Sequence, residues 1–100
     1  MCNASLAIQV LPAVAEGEEV LRIVDTVIAY LKSTGLNIFV GPFETTIEGD
    51  FERLMEIAAE CQRLCIRAGA GSVSTYIKVV YSPVAGVWSI EQKTAQYHNV

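Results

Sequence analysis

The densest run of chemically capable side chains lies between positions 41 and 50. Gly41-Pro42-Phe43-Glu44-Thr45-Thr46-Ile47-Glu48-Gly49-Asp50 sets two glycines, a proline, two hydroxyls and three acids into one short segment. Core packing alone does not require that mixture. The glycines and Pro42 read as turn residues, and Asp50 reads as a helix cap. Glu44, Thr46 and Glu48 are different, because in an extended chain they share one parity and project from one face. Two carboxylates on one face of an inner strand are partly desolvated and need partners. Lys78 can pair with one of them. The pattern by itself leaves two readings open, a structural ion pair and a ligand-reading surface.

Catalytic arrangements are poorly represented elsewhere. The only histidine, His98, stands two residues from the last one, where a chain end does not hold a general base in place. Cys61 and Cys65 fall four apart on the apolar stripe of a helix, and burial there raises a thiol pKa and blunts reactivity. Three cysteines with no C-x-x-C pair indicate neither a disulfide framework nor a zinc site. A carboxylate-only reaction at Glu44, Glu48 or Asp50 is the remaining catalytic reading, and paired acids more often hold a structure or a ligand. The expectation is a protein that is not an enzyme and requires no cofactor or metal.

These residues need elements to position them. Ser5 to Leu11 alternates with period 2 and is closed by Pro12, which predicts a first strand. Val20, Val24, Val27, Ile28 and Leu31 recur at helical spacing between Glu18 and Thr34, with acids in the first turn and Gly35 past the end. Asn37 to Val40 and Phe43 to Glu48 read as a hairpin about Gly41-Pro42. Asp50 then caps a second helix with the stripe Phe51, Leu54, Met55, Ala58, Cys61, Cys65 and Ala68. Ser72 to Ser82 is the longest strand, and the tail from Ser89 to Tyr97 forms one or two helical turns. The order βαββαβ predicts an α+β, ferredoxin-like fold, a four-stranded antiparallel sheet with two helices on one face. Residues 1–100 form a single domain, since one hundred residues suit one core and are too few for two.

Alternation sends Leu6, Ile8, Val10, Ile38, Val40, Ile77 and Val79 to the helix side and Ala7, Gln9, Leu11, Phe39, Tyr76, Lys78 and Val80 to the other. No helix of the βαββαβ unit covers that second face. It is too apolar to stay wet, so the expectation is a homo-oligomer, a dimer or a dimer of dimers, packed face to face. A few polar groups between two such sheets also make a small-molecule pocket.

Composition narrows the partners. Apolar residues make up 52% and charged residues 18%, with a formal charge of −4, which favours burial and leaves apolar surface available for self-association. Seven scattered Lys and Arg residues form no basic run, so a nucleic-acid partner is not expected. The start, Met1-Cys2-Asn3-Ala4-Ser5, lacks the basic region of a signal peptide, and no apolar stretch reaches membrane-spanning length, so a cytoplasmic location and no membrane partner are expected.

Three segments together resemble a known family, the small YkoF-like thiamine-binding domains. They are Ala7-Ile8-Gln9-Val10-Leu11-Pro12, the ten residues from Gly41 to Asp50, and Ser89-Ile90-Glu91-Gln92-Lys93. The resemblance spans nearly the whole chain and departs in the tail at Gln96-Tyr97-His98-Asn99-Val100, where those domains continue a longer charged helix. It implies a ferredoxin-like fold, assembly into dimers and tetramers, and thiamine or its hydroxymethylpyrimidine half as bound ligand; the residues expected to bind it are Gln9, Phe43, Thr45, Thr46 and Glu48, with Tyr76 the alternative aromatic face to Phe43. The side chains suit that chemistry: thiamine joins a hydrogen-bonding aminopyrimidine to a cationic thiazolium, which carboxylate, hydroxyl and aromatic groups can accommodate. A regulatory or interaction module binding another small effector at a subunit interface is the alternative, and a purely structural oligomer a third.

Overall fold

The computed structural model describes residues 2–15 and 17–98. In chain order it forms β1 (Ala4–Pro12), α1 (Gly17–Ser33), β2 (Asn37–Val40), β3 (Thr45–Gly49), α2 (Phe51–Arg67), β4 (Val73–Tyr81) and α3 (Ile90–His98). The sheet runs β2-β3-β1-β4 with every neighbouring pair antiparallel. This is the ferredoxin-like α+β arrangement that the element order predicts. Asn99, Val100 and the side chain of His98 lie outside the described residues.

Strand alternation builds the core. Leu6 lies between Ile47 and Val79, and Ile8 between Thr45 and Ile77, so these side chains share the helix-facing side. Leu6, Ile8, Val10 and Ile47 are buried there against Ile23, Val27 and Leu31 of α1 and Leu54, Ile57, Ala58, Cys61 and Cys65 of α2. The helical stripes differ by a residue or so from those read in the sequence. Ile23 and Ile57 are buried, whereas Val24 only flanks the core and Met55 is exposed. Hydrophobic spacing of 3.6 defines a broad sector, and the angle at which each helix rests on the sheet selects its centre. Ile77 and Val79 face the helices but stay more than a third exposed because β4 is an edge strand.

Local signals set the boundaries. Asp50 caps α2 by accepting from the Arg53 N–H, and Asn3 reinforces the cap by accepting from the Phe51 N–H at 2.8 Å. Gly35 takes a φ of +76° after α1, a left-handed conformation that glycine adopts without a Cβ penalty. The hairpin turn is longer than expected, four residues rather than two. Strand pairing resumes only at Thr45, so Phe43 and Glu44 belong to the turn rather than to β3. The Gly41 N–H donates to the Glu44 carbonyl at 2.9 Å, and a Cβ at position 41 would meet that same oxygen at 2.9 Å. Only glycine closes this turn.

The tail corrects one expectation. After β4 the chain doubles back, with the Ser82 N–H donating to the Asn3 carbonyl and the Val87 N–H to the Cys2 carbonyl. This brings α3 onto the face opposite α1 and α2, where Ile90 is buried. The second face of the sheet is therefore not bare but partly covered, by a helix of nine residues rather than one or two turns.

Candidate functional site

Strand register arranges the open face in rows. One row runs Lys78, Ala7, Thr46, Phe39, and the next runs Val80, Ser5, Glu48, Asn37. Gln9 stands beside Tyr76, past the last β1–β3 pair at Ile8 and Thr45. Alpha3 lies over the Ser5–Glu48 end and leaves the middle of the face open. The β2–β3 turn rises at the other side, and between them is a cleft of about 640 Å³. Its floor is Ser5, Ala7, Thr46 and the β4 residues from Lys78 to Val80; its walls are Phe39 and the turn Gly41–Glu44 on one side and Ile90, Lys93 and Thr94 of α3 on the other.

Polar groups in this cleft are few and placed. Glu44 forms an ion pair with Lys78 at 3.0 Å, joining the turn to β4, one of the two pairings that the sequence left open to Lys78. Thr46 is half-buried at the centre of its row. Phe43 is 79% exposed at the tip of the turn, an aromatic face held beside the cleft by the turn that Gly41 permits.

Glu48 does something the sequence did not disclose. It is buried, its Oε1 accepts from the Asn37 amide at 2.6 Å, and its Oε2 accepts from the Ile90 N–H at 3.0 Å. Asn37 also donates to Glu91 at 3.2 Å. Glu48 thus holds the first turn of α3, a favourable place for a carboxylate because helix N-termini present unpaired N–H groups and positive potential. Ser89 and Gln92 complete the start as a reciprocal capping box, the Gln92 N–H donating to Ser89 Oγ at 3.0 Å and the Ser89 N–H to Gln92 Oε1 at 2.7 Å.

The five positions expected to bind ligand do not form one cluster. Phe43 and Thr46 line the large cleft. Thr45 points to the helix side, buried opposite Ile8, and borders a separate depression of about 230 Å³ beside α1 that Gln9 and Phe43 also touch. Glu48 lies behind α3 on a depression of about 280 Å³ with Cys2, Val87, Ser89 and Gln92. Adjacent threonines on a strand necessarily face opposite ways, so Thr45 and Thr46 cannot reach one ligand from the same side. Two residues of α3 also line the cleft, Lys93, which stands in the third resembling segment, and Thr94, and neither is among the expected ligand-binding positions. Ser89-x-x-Gln92 was the available signal, since a capping box marks a helix start, but nothing in sequence says which face that helix crosses.

Other reactive groups lie away from the cleft. Burial pushes the Cys61 thiol up to about 12 and the Cys65 thiol above its ordinary value. Among the described residues no group of three or more His, Cys, Asp and Glu side chains could hold a metal ion. Among the described residues no helix is long and apolar enough to cross a membrane.

A four-stranded antiparallel sheet with its helical layer on one side and a ligand-sized, sparsely polar cleft on the other defines the class: a ferredoxin-like domain with a small-molecule cleft. The model of the thiamine-binding protein family matches residues 6–98. The chain belongs to that family. It is 42% identical over 96 residues to a UPF0045 protein of Clostridium perfringens, covering 96% of each chain. A solved domain of unknown function, DUF77, from Bacillus cereus is similar at 33% identity and a TM-score of 0.86, over 96% of this chain and 90% of that one. A Thermotoga maritima protein provisionally described as a thiamine biosynthesis/salvage protein is similar at 31% identity and a TM-score of 0.83, over 94% of this chain and 97% of that one.

Proposed function

We propose that this protein binds thiamine or its hydroxymethylpyrimidine moiety without chemical turnover, in the cleft between α3 and the β2–β3 turn. The observation that carries the reading is the content of that cleft: the aromatic residues Phe39 and Phe43, the Thr46 hydroxyl and the Glu44 carboxylate in a mostly apolar lining. Apolar walls supply affinity and isolated polar groups supply orientation. A flat aminopyrimidine stacks on an aromatic face and exchanges hydrogen bonds with a hydroxyl and a carboxylate. Membership of a family named for thiamine binding supports the same ligand, as does the description of the Thermotoga relative. The binding positions carried forward are Phe43 and Thr46, with Gln9 at the rim; Glu48 acts through α3, and Thr45 through the packing of β3 on α1. The protein acts in the cytoplasm as a homo-oligomer, a second copy closing the open cleft.

The test is isothermal titration calorimetry of ligand-stripped protein with thiamine, hydroxymethylpyrimidine and an amino-acid mixture. Saturable thiamine or pyrimidine binding near one site per chain or per dimer, weakened about tenfold or more by Phe43→Ala and by Thr46→Val, is the expected result. Heat with an amino acid and none with thiamine would replace this reading with a regulatory module.

A further inference from the structure

The cleft is bordered by three charged side chains from three separate parts of the chain: Glu44 in the turn, Lys78 on β4 and Lys93 on α3. Glu44 and Lys78 neutralise one another at 3.0 Å. Lys93 makes no ion pair among the described residues. Its neighbours at the start of α3, Glu48 and Glu91, keep their charges but are turned to the Asn37 amide, and neither borders the cavity. The lining therefore carries two cations against one anion on a chain whose formal charge is −4. A local reversal of sign beside apolar walls is felt by a ligand more strongly than the same charge in open water.

That balance discriminates among ligands sharing one heterocycle. A bare cation would meet a net positive lining, with the single carboxylate already paired. An anionic substituent would meet a lysine with no ion-pair partner among the described residues, and lysine is a flexible point charge well suited to phosphate. Thr94 cannot supply that donor, since its hydroxyl already donates to the Ile90 carbonyl at 2.8 Å. We propose that the ligand of this cleft is a phosphate monoester carried on a short arm from an aromatic nitrogen heterocycle, and that the Lys93 ammonium contacts the phosphate. This rests on the thiamine or pyrimidine reading above and specifies the form in which the ligand arrives.

The experiment compares thiamine with thiamine monophosphate, and hydroxymethylpyrimidine with its phosphate, by calorimetry on wild-type protein, Lys93→Gln and Lys93→Arg, with inorganic phosphate as a separate arm. Each ester binds about five- to tenfold tighter than its parent in the wild type. The advantage falls to about twofold or less in Lys93→Gln, returns in Lys93→Arg, and shrinks with added salt. Esters binding no tighter than their parents, or an advantage that survives Lys93→Gln, would overturn the proposal while leaving the family ligand in place. Inorganic phosphate binding as tightly as the esters would overturn the need for an attached heterocycle. If neither parents nor esters bind, the reading of the cleft itself fails along with this one.

Discussion

Glu48 commits both carboxylate oxygens inside the protein, one to the Asn37 amide and one to the Ile90 N–H. A side chain so engaged holds α3, and α3 supplies one wall of the cleft. Glu48→Ala strands one buried donor, the Ile90 N–H, at a cost of about 1–3 kcal/mol, while the exposed Asn37 amide keeps Glu91 as an acceptor. The expected outcome is a folded protein less stable by roughly 2 kcal/mol in urea denaturation, with faster hydrogen exchange at the first α3 amides and weaker ligand binding as a consequence. A loss of affinity with α3 exchange unchanged would instead make Glu48 a direct ligand contact. The cysteines allow a second test at this scale. Cys61 and Cys65 are buried, with thiols pushed above their ordinary range, whereas Cys2 is only half-buried. Native protein treated briefly with iodoacetamide near pH 8 should be alkylated at Cys2 alone, as read by peptide mass spectrometry, and at all three positions in denaturant. Rapid native labelling at Cys61 would show that α2 does not pack as described.

At the scale of elements, the sequence disclosed what period and capping encode and withheld what depends on path. The alternation of Leu6, Ile8 and Val10 located β1 and its buried side, and Asp50 located the start of α2, because strand parity and N-caps are local properties. That Lys78 has a carboxylate partner was legible for the same reason, but which carboxylate was not, since Glu44 belongs to the turn and Glu48 is committed to the start of α3. The course of α3 was not. Its apolar content is small, and its position is fixed by backbone bonds from Ser82 and Val87 to Asn3 and Cys2, at the far end of the chain. The split of Thr45 from Thr46 was implicit in parity but masked by a motif that treated neighbours as one site. The turn offers a prediction here. Gly41→Ala brings a Cβ within 2.9 Å of the Glu44 carbonyl, a backbone atom that cannot rotate away, so the hairpin must reopen. The expected loss is roughly 1–3 kcal/mol in a thermal or urea melt, with ligand affinity falling because Phe43 and Glu44 leave their places. A variant as stable as wild type would mean that the turn has another conformation close in energy.

For the whole molecule, the decisive feature is what α3 leaves uncovered. Leu11, Phe39, Phe43, Tyr76 and Val80 all remain between 43% and 79% exposed, and Leu11, Phe39, Tyr76 and Val80 share the face that carries the cleft. Soluble chains rarely leave so contiguous an apolar surface to water, and a second copy laid on it would bury it symmetrically while closing the cleft. Ligand affinity and assembly would then be linked, since a ligand held between subunits binds the assembled form better than the separated one. Phe39→Asp and Gln9→Arg each place a charge in that contact without disturbing the helix-side core, and an unpaired buried charge costs several kcal/mol. Both variants should sediment as monomers at concentrations where the wild type is a dimer or larger, keep a wild-type circular dichroism spectrum, and bind the ligand more weakly. Variants that sediment like the wild type would exclude the open face as the contact. They would move it to the edge of β4, a nine-residue strand whose outer backbone groups have no partner in the sheet order and whose Tyr76, Ile77, Val79, Val80 and Tyr81 are all at least 37% exposed. There a second β4 would extend the sheet by strand pairing, and the cleft would stay open to solvent with its affinity independent of protein concentration.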